Sequence, residues 1–277
     1  MIFKNYSFIL IFIFCLSSCK DKKSEKDTSK IAKGVTTDLQ VDHFNIWVKD
    51  PKKAKEKLNS IGFTSQPDSL SEIHKGQGTS GRYFYFFNNY LELIFVYNQE
   101  EFKKNNEIHT GLDFTKRANF KENGASPFSI ALKVKDYNVD KIPFKTIKYH
   151  QDWMIENESI YAAKNSKTNL KEPSIFVVYP EMESGTFESL ADLQNFPAED
   201  DFWKAFFKHP NGAQKITKIT ITSTNLNLNT ETIKAVQKIK ELTIKNGTEH
   251  LMELHFDHHI QGKTFDLRPE LPLIIYL

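Results

Sequence analysis

Cysteine is nearly missing from this chain, since Cys15 and Cys19 are the two present in 277 residues and both lie near the N-terminus. They cannot build a disulfide framework, and no CxxC pair exists, so stability has to come from packing. Excess charge is missing as well. Lys and Arg number 37 against 35 Asp and Glu, a formal charge of +2, which gives no footprint for a nucleic-acid partner. No apolar run reaches the roughly 20 residues that a membrane-spanning helix needs. A Gly-rich phosphate loop and a nucleophile elbow are also absent, which removes two common routes to nucleotide binding and covalent catalysis.

What the N-terminus does contain is Lys4, an apolar run from Phe8 to Leu16, and then Ser17, Ser18 and Cys19. This is the pattern of a signal peptide, with a core about half the length of a span. Leu16-Ser17-Ser18-Cys19 resembles the lipobox of bacterial lipoproteins, which implies cleavage before Cys19 and lipid on its sulfur. The expected location is the bacterial cell envelope, lipid-anchored to a membrane with the folded domain outside the cytoplasm. Residues 20 to 37 are charged, small and aperiodic, a composition that cannot offset its ordering entropy and that predicts a flexible tether.

The pattern changes at residue 39. In LQVDHFNIWVKD, Phe44, Ile46 and Val48 alternate with His43, Asn45 and Trp47, so the period is two and the segment reads as a strand. Pro51 then opens a helix with Ala54, Leu58 and Ile61 on one face and a stop at Gly62. A weak strand is expected near Phe63. GRYFYFFNN and YLELIFVYN read as a hairpin turning at Asn88 and Asn89. Phe44, Ile46, Val48, Leu58, Leu91, Leu93 and Phe95 are the predicted core.

Two later segments repeat the theme. Residues 126 to 180 run from SPFSIALKVKD, parallel to FNIWVKD, to PSIFVVYP, parallel to LELIFVY. Residues 214 to 277 run through KITKITITST, a helix TETIKAVQKIKEL capped by Thr230, a turn at Asn246 and Gly247, and the strands LMELHFDHH and LPLIIYL. Ile233, Val236, Ile239 and Leu242 share one face of that helix. His255, His258 and His259 look metal-like, but on a strand His255 and His259 face one way and His258 the other. Residues 98 to 125 and 181 to 211 are polar and poorly periodic, and are expected to be loops and short helices.

The βαβββ order of residues 41 to 97, opened by Asp-His and closed by Tyr-Leu-Glu-Leu, resembles the vicinal oxygen chelate, or glyoxalase-like, superfamily. VDHFNIWVKDPKKAKEKLNSIGF, HKGQGTSGRYFYF, NNYLELIFV, GASPFSIALK and HPNGAQKITKITI together resemble its glyoxalase-like branch with a His-x-Gly-x-Gly-Thr segment. The resemblance implies an α+β fold of βαβββ modules forming mixed, strongly curved sheets. The chain then divides into a leader over 1–18, a tether over 19–38, a first module with its connecting segment over 39–125, a degenerate second module over 126–212, and a C-terminal module over 213–277.

In metal-dependent members of that superfamily, a His or Gln on the first strand of each module and a Glu on its last strand converge on one divalent ion. By motif, His43 and Glu92 match those positions, and zinc, manganese or iron would suit them. His74 becomes a third ligand if the HKGQGT loop folds over the cup. The other half of the set is missing, because Ser129 and Ser174 stand where the second module's ligands belong, and the C-terminal module offers only Lys218 and Glu270. Each candidate also has a structural reading: His43 as a hydrogen-bonded strand residue, Glu92 as the partner of Arg82 or a lysine, and Gly76, Gly78 and Gly81 as turn formers.

Two functions of different class follow. One is a binding module that holds a small apolar or aromatic compound in a cup lined by Trp47, Tyr83, Tyr85 and Phe87. The other is a metal-dependent lyase, isomerase or dioxygenase built on His43, Glu92 and His74. The incomplete ligand set favours binding, since catalytic metal sites normally have at least three protein ligands.

Overall fold

A computed structural model describes residues 37–182, 184–195 and 201–277. The leader, Cys19 and all but the last two positions of the expected tether lie outside the described residues.

The first strand, β1 (Leu39–Trp47), is followed by α1 (Pro51–Ser60), whose N-cap Asp50 accepts a 3.0 Å hydrogen bond from the Lys53 amide. Ala54 and Leu58 are its buried residues, as the helical spacing predicts. Gly62 ends it with φ +87°, and a Cβ there would lie 2.9 Å from the Cβ of Asn211. No strand forms at Phe63. The ladder resumes instead at β2 (Ile73–His74) and β3 (Thr79–Ser80), followed by β4 (Tyr83–Tyr85) and β5 (Tyr90–Val96).

Three helices, α2 (Gln99–Ile108), α3 (Phe114–Ala118) and α4 (Phe120–Asn123), connect to a second set of strands: β6 (Phe128–Val134), β7 (Thr146–Tyr149), β8 (Ile160–Ala163) and β9 (Ser174–Val177). Both sets belong to one nine-stranded sheet of described strands, ordered β2-β3-β5-β1-β6-β9-β8-β7 with β4 also on β5. In the first set β1 pairs parallel with β5, in the second β6 pairs parallel with β9, and the sets meet where β1 runs antiparallel to β6. This mixed sheet with few helices is an α+β fold of the kind the sequence resemblance implies.

After α5 (Leu190–Asn195) and α6 (Asp201–Ala205), the chain builds a second sheet from β10 (Ile216–Ser223), β11 (Leu242–Asn246), β12 (Leu251–Phe256), β13 (Thr264–Asp266) and β14 (Leu273–Tyr276), in the order β11-β10-β12-β14-β13. One core joins the two sheets. It holds Phe44, Ile46, Leu91, Leu93, Ile130 and Leu132 from the first and Ile219, Ile221, Met252 and Leu254 from the second. Covering one face of the large sheet in this way leaves its other face to line a cavity.

Two local expectations are corrected here. The helix expected over 230–242 is shorter, α7 (Glu231–Val236), because the chain must return to place β11 parallel to β10. Ile239 still packs in the core, and Leu242 opens a strand. His255 ends a strand with Phe256, but Asp257, His258 and His259 all take positive φ in a tight turn, so the alternating-face argument fails for them.

Candidate functional site

On the open face of the large sheet lies a cavity of about 650 Å³, large enough for a small organic molecule. The alternation of β1 places His43, Asn45 and Trp47 in its wall, and Phe44 and Ile46 in the core behind it. The same alternation on β5 sends Glu92 and Ile94 to the cavity and Leu91 and Leu93 to the core. Tyr83 and Tyr85 line it from β4, and His74 from β2. Six of the seven residues singled out from sequence therefore share one cavity.

Phe87 is the exception. Strand β4 stops at Tyr85, and the Phe87 amide donates to the Gln214 carbonyl at 2.9 Å while its own carbonyl accepts from the Phe187 amide at 2.6 Å. Its ring packs with Phe187 and Leu193, away from the cup lining. The strand is thus two residues shorter than its aromatic composition predicts.

Cross-strand register sets the polar floor. Glu92 lies opposite Asn45, Asn45 opposite Ser129, and Ser129 opposite Ser174, a row running across β5, β1, β6 and β9. Asn45 Nδ2 donates to Glu92 Oε2, and the Tyr83 hydroxyl reaches Oε1 at 3.5 Å. The partner of the buried glutamate is thus Asn45, not Arg82, which pairs with Asp68 and lies over the Phe95 ring. Burial pushes the Glu92 carboxyl up to about 8, the charge of Glu72 adds to the rise, and the Tyr83 hydrogen bond opposes it.

His43 sits two positions away, opposite Tyr90, with the two rings stacked at 4.1 Å. The register of β1 against β6 shifts between Val41 and His43, a bulge at Asp42. Bulges re-aim side chains, and here the Asp42 carboxylate meets His43 Nδ1 at 2.6 Å while also accepting from the Ser184 amide at 2.8 Å. Burial acts to raise the Asp42 carboxyl, but the His43 hydrogen bond and charge and the Ser184 amide together hold it below its ordinary value. Asn89 closes the bulge by donating to the carbonyls of Val41 and Asp42.

His74 ends 4.0 Å from Glu92 Oε1, yet both ring nitrogens have hydroxyl partners, Thr79 at 2.8 Å and Tyr83 at 3.3 Å. Burial, then the proximity of His43, lowers it to about 4, so it is neutral near pH 7. Among the described residues no group of three or more His, Cys, Asp or Glu side chains could hold a metal ion. Across the cup from His43 and Glu92 stand Ser129 and Ser174, which lack the imidazole or carboxylate that zinc, manganese or iron takes. The donor set does not fit a divalent ion.

Sequence reasoning missed Asp42, Tyr90, Trp153 and Trp203 as site residues. Asn45 had a usable signal, since it shares the strand face of His43 and Trp47. Trp153 and Trp203 come from segments with no period, so spacing carried no trace of them.

The sequence of residues 41–237 matches the family model described as a glyoxalase-like domain. Among solved structures, a hypothetical protein from Staphylococcus aureus aligns over 86% of this chain and 98% of its own, at 14% identity and a TM-score of 0.52, a likeness of fold. Methylmalonyl-CoA epimerase from Mycobacterium tuberculosis aligns over 53% of this chain and 91% of its own, at 14% identity and a TM-score of 0.34, too distant to carry an argument. The sequence has no match among curated proteins. Because the family match spans most of its length, the chain belongs to the glyoxalase-like domain family of the vicinal oxygen chelate superfamily.

Proposed function

We propose that this protein is a lipid-anchored envelope protein that binds a small apolar or aromatic molecule in its cup without a metal ion. The observation that carries the reading is the composition of the cavity: aromatic walls over a buried floor of Asn45, Glu92, His43 and Tyr83. Apolar concave surfaces with a few fixed polar groups are the usual form of a ligand site. The alternative, metal-dependent chemistry, asks for ligands that Ser129 and Ser174 do not supply. Attachment in this reading rests on Cys19, and no described helix is long and apolar enough to cross a membrane.

The chain's three tryptophans, Trp47, Trp153 and Trp203, all line the cup, so intrinsic fluorescence reports on it directly. Titration of the purified protein with a panel of small aromatic compounds is expected to give saturable changes in emission for at least one member, with a matching rise in melting temperature. A panel that leaves both signals flat would sink the binding reading.

A further inference from the structure

We propose that the cup selects an organic cation, an apolar or aromatic body carrying an ammonium group, over anionic ligands of the same size. This inference rests on the reading of the cup as a ligand site and adds the charge of the ligand. Among the described residues, the carboxyl groups in the lining belong to Glu72, Glu92, Asp113 and Glu181, and no lysine lines the cup. Arg117 is the one described lining residue with a permanent positive charge, and its guanidinium is already committed. It is 2% exposed, and its Nη1 donates to the carbonyls of Ser126, Leu170 and Glu172 and its Nη2 to that of Ser166. A guanidinium held by four backbone oxygens has little left with which to clamp a carboxylate or phosphate.

The floor adds a second, independent observation. Asn45 is 4% exposed, its Nδ2 is taken by Glu92, and its Oδ1 has no hydrogen-bond partner. A buried acceptor without a donor is costly, and an ammonium N–H supplies the missing group. Trp153 Nε1, also buried without a partner, offers a donor to an oxygen elsewhere on the ligand. The walls suit the same ligand class. Trp47, Tyr85 and Trp203 line the space above the floor, and aromatic faces attract cations through their quadrupoles. The field inside agrees: after burial, the negative charge of Glu72 opposes the ionisation of Glu92, and no cation pulls that carboxyl back down.

The test uses three probes of one shape on the full-length protein at neutral pH, read by tryptophan emission: 2-phenylethylammonium, 2-phenylethanol and 3-phenylpropionate. The ammonium is expected to bind ~10-fold more tightly than the alcohol, the scale of a desolvated cation over aromatic faces. The carboxylate is expected not to saturate. Glu72→Gln removes one exposed carboxylate from the lining and should cut the ratio of ammonium to alcohol affinity several-fold. If the alcohol binds as tightly as the ammonium, or the carboxylate binds best, the charge inference is overturned and the cup remains a ligand site. If none of the three saturates, this inference and the binding reading both fall.

Discussion

Replacing Glu92 with Gln keeps the shape of a protonated carboxyl and removes its titration. In the folded chain, burial and then the charge of Glu72 raise this group from an ordinary 4.5 to about 8. The folded protein therefore holds a proton that the unfolded chain releases. Stability from this group is fully present below pH 4.5 and is lost as pH rises towards 8, at about 1.4 kcal/mol for each pH unit. Near pH 7 the loss amounts to about 3 kcal/mol, and near pH 5 to about 1 kcal/mol. Glu92 is 4% exposed, so solvent screening takes little from these figures. The stability of Glu92→Gln relative to the wild type should accordingly grow by about 2 kcal/mol between pH 5 and pH 7. His74 and His209, both lowered to about 4 chiefly by burial, add the opposite trend, since their neutral folded forms lose stability as pH falls below 6.5. That trend is common to both proteins and largely cancels in the difference. Urea unfolding at a series of pH values gives the measurement. A difference that stays constant with pH would refute the reasoning, because it would mean that Glu92 is ionised in the folded chain.

Three further outcomes are expected. Added zinc or manganese should leave the wild-type melting temperature unchanged, and a rise that disappears in His43→Ala and Glu92→Ala would reinstate the metal site. Phe87→Ala should destabilise the fold by about 3–5 kcal/mol in urea unfolding, because it empties a packed cluster. Its ligand titrations should match the wild type at temperatures where it stays folded. Cys19→Ser should move the protein from the membrane pellet to the soluble fraction of cells, and a variant that still pellets after a high-salt wash would end the lipid-anchor proposal.

Elements with a clean period were legible in the sequence. β1 shows its alternation in nine residues, and α1 carries its own cap and stop, so both could be drawn and their faces assigned. Elements whose boundaries depend on distant partners were not. Phe86 and Phe87 have the composition of a strand, but the chain leaves β5 there because Asn88 is held by the amide and carbonyl of Ile216, more than a hundred residues away. The C-terminal helix has apolar residues spaced to run to Leu242, and it stops at Val236 because β10 takes Leu242 into its ladder. Tertiary pairing outweighs local propensity in both cases.

The site was legible in half for the same reason. His43, Trp47 and Glu92 sit on strands whose alternation assigns their faces, while the pairing of Glu92 with Asn45 is a matter of register between β1 and β5, which no local period encodes. That register has a chemical consequence. With His43 opposite Tyr90, the imidazole stacks on a phenol and is tied back to Asp42, while the Glu92 carboxyl two positions along is held by an amide and a phenol. On β6 and β9 the same row continues as two serines. Every member of the row from Glu92 to Ser174 can take part in hydrogen bonds, but only Glu92 is a good ligand for a divalent cation. A scaffold whose metal-dependent relatives converge four donors on an ion here converges a carboxyl, an amide and two hydroxyls, the groups with which a protein recognises the polar end of an organic molecule.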